Sequence, residues 1–148
     1  MAVSLLAGCA PAPRPVEQPK REAGTDATKE EGYRAAVDQL VAMNRRAEDL
    51  LAGGKSTRAA DIISSSQPVL NRLLSVPQPT LEAMEAVSDS DHLYGRMLLA
   101  NGHYGWARMA FQKNATRWKT WRPQTLDTAR RLKLANDAIA ECDRRLRE

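Results

Sequence analysis

Phenylalanine occurs once in this chain, cysteine twice, and no apolar run approaches the roughly 18 residues that a membrane-crossing helix needs. Each scarcity removes a class of protein. Cys9 and Cys142 stand near opposite ends, so they offer neither a disulfide framework nor a metal-type CxxC pair. Runs of β-branched residues are nearly absent and no segment alternates with period two, which argues against a sheet. Signatures of catalysis are scarce too. The serines cluster at Ser64-Ser65-Ser66 with no histidine near them in sequence, and there is no GxSxG elbow. Ala52-Gly53-Gly54-Lys55-Ser56-Thr57 lacks the first glycine of a phosphate loop at the right spacing and a strand before it, so Lys55 and Ser56 read as a turn and a helix cap. His92 beside Asp89 and Asp91 can be drawn as a metal cluster, yet this reading puts all three at a helix start, where acids cap and offset the dipole. His103 falls in an interhelical turn. No enzyme activity, cofactor, metal or nucleic-acid partner is expected.

What is present is helix-forming. The hydrophobic share is 43%, dominated by Ala and Leu. Tyr33, Val37, Leu40, Val41, Met43, Ala47, Leu50 and Leu51 recur at helical spacing and stop at Gly53-Gly54, which predicts a helix over about 29–52. A second begins near Ser56, breaks at Ser64–Pro68 because proline has no N–H to donate, and restarts with Pro68 in its first turn. After Pro77 and Pro79 a short helix over about 80–87 is expected. Ser88 with Asp91 matches a capping box and predicts a separate helix to Asn101-Gly102. Tyr104 to about Trp118 makes the next. Beyond Pro123, Leu132, Ala135, Ile139, Cys142 and Leu146 form an apolar seam on a last helix, with Cys142 a small core residue rather than a reactive thiol. The fold class is all-α.

Charge is unevenly spread. Residues 92–148 hold twelve Lys/Arg against five Asp/Glu, whereas residues 31–91 hold six against nine. A basic C-terminal third and an acidic middle suit either two faces meeting different partners or an ordinary solvated helical surface.

The first residues carry a different signal. Leu6-Ala7-Gly8-Cys9 resembles the lipobox of bacterial lipoproteins, in which the signal is cut before a cysteine whose thiol carries a diacylglycerol. The small Ala7 and Gly8 suit a protease cleft. No Lys or Arg precedes Cys9 and the apolar stretch is short, so residues 1–9 are expected to be the end of a longer signal. Residues 10–28, with Pro11, Pro13, Pro15 and Pro19 among charged residues, read as a disordered tether. Ala10 after the cysteine implies, by the same resemblance, the outer membrane facing the periplasm, with a palmitoylated anchor at Cys9. Residues 29–148 are the folded domain.

A repeat underlies that domain. Gly54, Ala59 and Ile63 are matched at equal steps by Gly102, Ala107 and Phe111, 48 residues on. The second set, with Gly95 twelve residues before Ala107 and Tyr104 in the turn, resembles the tetratricopeptide repeat, whose period is 34 residues. The pattern departs where Asp91, Tyr94 and Leu98 replace the family's Trp, Leu and Tyr. The longer period implies an insertion within residues 68–87. The resemblance implies a short stack of antiparallel helix hairpins in which Gly95 and Ala107 let two helices approach and Phe111 plugs the groove between them. It also implies a last helix acting as solenoid cap, with Arg130, Arg131, Arg144, Arg145 and Arg147 outward. Such proteins bind peptides or partner helices in a groove, here walled by the helices over Lys29–Leu51 and Asp89–Asn101. The alternative to the resemblance is generic antiparallel packing with glycine at the turns.

One surface candidate stands out. Arg117, Trp118, Lys119, Trp121 and Arg122 interleave two large rings with three cations. They form either a stacking-plus-charge platform for an anionic partner, or a core contact in which Trp118 completes the Phe111 face and Trp121 packs under the last helix. The expected function is accordingly a lipid-anchored envelope adaptor or assembly factor that binds another protein. The alternative is a binder of anionic lipid or cell-wall polymer through residues 117–122.

Overall fold

The structure is a computed structural model and describes residues 26–148, which are all-helical. After a short 3-10 turn at Ala27–Lys29 come α1 (Glu31–Ala52), α2 (Ser56–Ser65), α3 (Gln67–Leu74), α4 (Leu81–Ala100), α5 (Tyr104–Thr120) and α6 (Leu126–Arg145). The lipobox-like segment with Cys9, and nearly all of the tether, lie outside the described residues.

Local chemistry accounts for most boundaries. In α1 the buried residues Tyr33, Ala36, Val37, Leu40, Asn44 and Ala47 fall at steps of three, one, three, four and three, one continuous helical stripe. Gly54 ends the helix with φ 71°, a conformation that a Cβ disfavours. Between α2 and α3 the chain breaks at Ser66, and Pro68 sits in the first turn of α3. The Ser65 and Ser66 hydroxyls donate back to the carbonyls of Ile62 and Ile63 at the break, 2.8 and 2.7 Å. The α6 start is a capping box between Thr125 and Thr128, which sequence reading missed.

One boundary differs from expectation. Residues 81–100 form a single helix, not a short one followed by another beginning at Ser88. Its N-cap is Thr80, whose hydroxyl accepts from the Ala83 N–H. No proline or glycine interrupts residues 81–94, so nothing stops the helix at 88. Ser88 and Asp91 are thereby released from capping to serve partners elsewhere in the fold.

Helix α4 is the spine. Val87, Ala83 and Ala86 pack with Leu40 of α1 and with Leu70 and Leu73 of α3. Leu93 joins Ala47 of α1 and Ile63 of α2. Leu98 and Leu99 pack against Ala107 and Phe111 of α5 and Cys142 of α6. Full burial of a side chain such as Leu40 or Leu73 contributes about 1.5–3 kcal/mol each. On α6, Ala135 and Cys142 are buried as the seam predicts, while Leu132 and Ile139 are half-buried; Leu146 is exposed because the helix ends at Arg145. The cysteine thiol is pushed up from its ordinary range by burial, consistent with a core role.

The sequence repeat is a repeat of geometry. After α1, Gly54 N–H donates to Leu51 C=O at 3.1 Å and Lys55 N–H to Leu50 C=O at 2.8 Å. After α4, Gly102 N–H donates to Leu99 C=O at 3.1 Å and His103 N–H to Leu98 C=O at 2.8 Å. Both are the same glycine-centred helix stop, with Gly54 at φ 71° and Gly102 at φ 78°. Ala59 and Ala107, five residues on, are both fully buried. The excess of the 48-residue spacing over a 34-residue period is fourteen residues, the length of α3 with the loop that follows it to Thr80.

Candidate functional site

Gly95, Ala107 and Phe111 of the second hairpin lie together. A Cβ built on Gly95 would lie 2.6 Å from Cε1 of Phe111, so the absence of a side chain at 95 is what admits the ring. Phe111 is fully buried and stacks at a tilt against His92, with centroids 5.3 Å apart. Tyr104 begins α5 and Gly102 makes the turn.

The Trp/Arg stretch does not form one surface. Trp118 is fully buried, and its indole N–H donates to the Ser88 hydroxyl at 2.8 Å. Arg117 lies against α4, where it pairs with Asp91 at 2.9 Å and contacts the Asn114 side-chain oxygen. Trp121 is half-buried, edge-on to Trp118 with centroids 6.3 Å apart. Lys119 and Arg122 remain exposed, the latter donating to the carbonyls of Lys119 and Trp121. A stacking platform needs both rings open, and one ring is core. The reason is that Trp118 sits on the α5 face that meets α4 and α6.

Arg131 is a second correction. It points inward rather than out, pairs with Asp89 at 2.8 Å and Asp127 at 2.9 Å, and covers the Trp118 ring at 5.4 Å. Burial works against its charge, but the hydrogen bonds to Asp89 and Asp127 outweigh it and hold the guanidinium above its ordinary value. Glu85, 3.8 Å away, is pushed up by burial. Asp89 and Asp91 therefore neutralise cations from α5 and α6, and the described residues contain no cluster of three metal-type ligands.

Two hollows run along the side of α4 that faces α2–α3 and α5. One, of about 400 Å³, lies between the α2–α3 wall, with Leu70, Asn71 and Leu74, and the α5 wall, with Lys113 and Arg117. Val87, Asp91 and Tyr94 of α4 make its floor. The other, of about 610 Å³, shares Lys113 and Arg117 and continues past Thr116 to Met84 and Trp121 at one end and Met109 at the other. Together they make a helix-walled groove whose apolar side chains are half open to solvent: Leu74 is 46% exposed, Tyr94 48% and Met109 55%. The groove expected from the resemblance, between α1 and α4, is present only as a hollow of about 220 Å³ at Asn44, Glu48, Asp89 and His92. The larger groove is on the other face, between the α2–α3 wall and α5, which have no extensive contact with each other.

Sequence reasoning missed Met84, Tyr94, Met109 and Leu74 as one site. They lie on three different helices, and only Tyr94 carried a signal, as a departure from the repeat pattern. No protein-family model matches the chain, and neither curated proteins nor solved structures contain a significant match to it.

Proposed function

We propose that the chain is a protein-interaction module, an adaptor or assembly factor that holds a partner protein in the groove between α2–α3 and α5. The observation that carries this is the groove itself: a helix-walled hollow with a polar centre at Asp91, Lys113 and Arg117 and with Leu74, Tyr94 and Met109 exposed along it, where a solvated surface would carry charge. The duplicated hairpin with its glycine stops supports a relation to tetratricopeptide-like helical stacks, whose surfaces serve as protein docks. The lipobox-like Leu6-Ala7-Gly8-Cys9 supports lipid attachment at Cys9 and a place in the bacterial envelope, on the periplasmic side of the outer membrane.

The test is site-specific photo-crosslinking in cells that make the full chain. A photoreactive side chain at Met109 should yield a discrete protein adduct, and one at the exposed Lys133 of α6 should not. Equal labelling from both positions, or none from Met109, overturns the reading. Metabolic labelling with a palmitate analogue, lost in Cys9→Ser, checks the anchor separately.

A further inference from the structure

Resting on that reading, we propose that the occupant of the groove is a short amphipathic helix of the partner, about three turns long, which sets an apolar face on α4 and acidic side chains against Lys113. Length comes from the floor. Met84 and Tyr94 are ten helical residues apart, about 15 Å at 1.5 Å per residue. Over that span a docked helix places apolar residues at i, i+3 or i+4, i+7 and the next turn, which matches apolar contacts at both ends of the groove and a polar centre. Met84 and Trp121 close one end and Tyr94 and Met109 the other, with Leu74 on the α3 wall. Methionine side chains adapt to the shape of such an anchor.

Secondary structure follows from what the walls can offer. An extended strand gains its affinity from an unpaired sheet edge, and the described residues contain no strand. A polyproline segment needs a continuous aromatic track, whereas the rings of Tyr94 and Trp121 stand at opposite ends. A helix needs only shape and apolar area, which helical walls supply.

Charge selects among helices. The carboxylate in the lining, Asp91, holds two cations at once, Arg117 at 2.9 Å and Lys113 at 3.2 Å. Arg117 is 10% exposed and committed to that pair, but Lys113 is 66% exposed and free to turn its ammonium toward a ligand. The facing wall adds only neutral polar groups, Ser64, Gln67 and Asn71. Of the α5 cations, Lys113 and Arg117 line the groove, whereas Arg108 faces α6 and pairs there with Asp143 at 2.6 Å. The groove therefore presents excess positive charge at its centre, complementary to Glu or Asp flanking the apolar stripe of a partner.

A display selection tests this. Randomised peptides long enough for four helical turns are panned on the full chain and on its Met109→Asp and Lys113→Glu variants, both at exposed positions, with thermal unfolding confirming that each variant folds. The expected winners carry apolar residues at helical spacing with net negative charge, and bind at least about tenfold more weakly to either variant. Winners that are basic or lack helical period, binding indifferent to Lys113→Glu, or no enrichment at all overturns the proposal. So does tighter binding to phosphatidylglycerol–phosphatidylethanolamine vesicles than to any peptide, lost in the same variants. A Met109 crosslink alongside a failed selection leaves the interaction reading standing and removes only the acidic helix.

Discussion

The two helix hairpins, α1–α2 and α4–α5, share a turn and differ in what they enclose. Both stop on a left-handed glycine with the same pair of hydrogen bonds, and both bury an alanine five residues on. In the first, Ala47 clusters with Ile63; in the second, the equivalent positions are Gly95 and Phe111, whose ring occupies the space a methyl would need. The first returning helix then breaks at Ser66 and continues as α3, whereas α5 runs unbroken for 17 residues. Identical turns thus leave the returning helices free to diverge. Because one breaks and the other does not, they leave α4 uncovered between them, and that uncovered strip is the floor of the groove.

The largest test of the contrast is at the plug. Phe111→Ala should destabilise by about 3–5 kcal/mol, because a fully buried ring leaves a cavity that helices α4, α5 and α6 cannot all close. Ile63→Ala, in the equivalent place of the first hairpin, should cost about 2–3 kcal/mol, the low end of the range for such a truncation, because the side chain is smaller and not fully buried. Urea unfolding with an unchanged m value measures both, and equal costs would show that the two hairpins are held alike. A sharper form swaps the pairs. Gly95→Ala should cost about 1–3 kcal/mol by overpacking, although alanine is the better helix former. Adding Phe111→Ile, which makes the second hairpin resemble the first, should reduce that penalty, with a favourable coupling of about 0.5–3 kcal/mol in the double-mutant cycle. Strict additivity would mean that the ring and the glycine are independent.

How much of this was legible beforehand depends on the range of the interaction. Glycine stops, the Pro68 break and the period of α1 are local, and each was visible in a few neighbouring residues. So was the Gly95–Phe111 pairing, because a repeat pattern compresses a tertiary contact into a spacing. Ser88 and Asp91 misled for the converse reason. A Ser-x-x-Asp pair looks the same whether it caps a helix or serves distant partners, and here Trp118 takes the serine hydroxyl and Arg117 the carboxylate. Trp118 was legible only as one of two alternatives, core contact or open platform, and Arg131 was placed outward, since their partners lie 30 and 42 residues away. The groove was least legible of all. Its apolar residues are spread over three helices, and it exists only because the α2–α3 wall and α5 stand apart over α4.

The turns themselves should behave as one motif. Gly54→Ala and Gly102→Ala each force a Cβ into the left-handed region without any clash, since no atom lies within 4 Å of either position. Each should cost about 1–2 kcal/mol, the intrinsic penalty for that backbone conformation. The two values should agree within about 0.5 kcal/mol, the usual scatter for independent sites. A larger gap in thermal or urea unfolding would show that one turn carries tertiary strain that the other lacks.

The smallest effect is electrostatic and separates the hairpins by chemistry. Asn44 of α1 and His92 of α4 stand at equivalent places in the repeat, 48 residues apart, yet only one titrates. Burial against Phe111, then the nearby Arg96 guanidinium, holds the His92 imidazole below its ordinary 6.5, with Asp89 and Glu48 opposing. Asn44 is neutral at any pH and donates to the Ala86 carbonyl at 2.8 Å. A histidine whose folded pKa is depressed favours the neutral form, so the unfolded chain binds the proton more readily. That contribution is fully present above pH 6.5 and is lost as pH falls from there toward the lower folded value. Glu85 acts in the opposite sense at lower pH. Its raised pKa means the folded state holds the proton more readily, so it stabilises on acidification from above its folded value toward the ordinary 4.5. Comparing wild type with His92→Asn isolates the histidine: the difference in unfolding free energy between pH 7.5 and 5.5 should shrink in the variant, which carries the first hairpin's amide in the second. A variant profile parallel to wild type would place the titration elsewhere and make the two hairpins electrostatically alike.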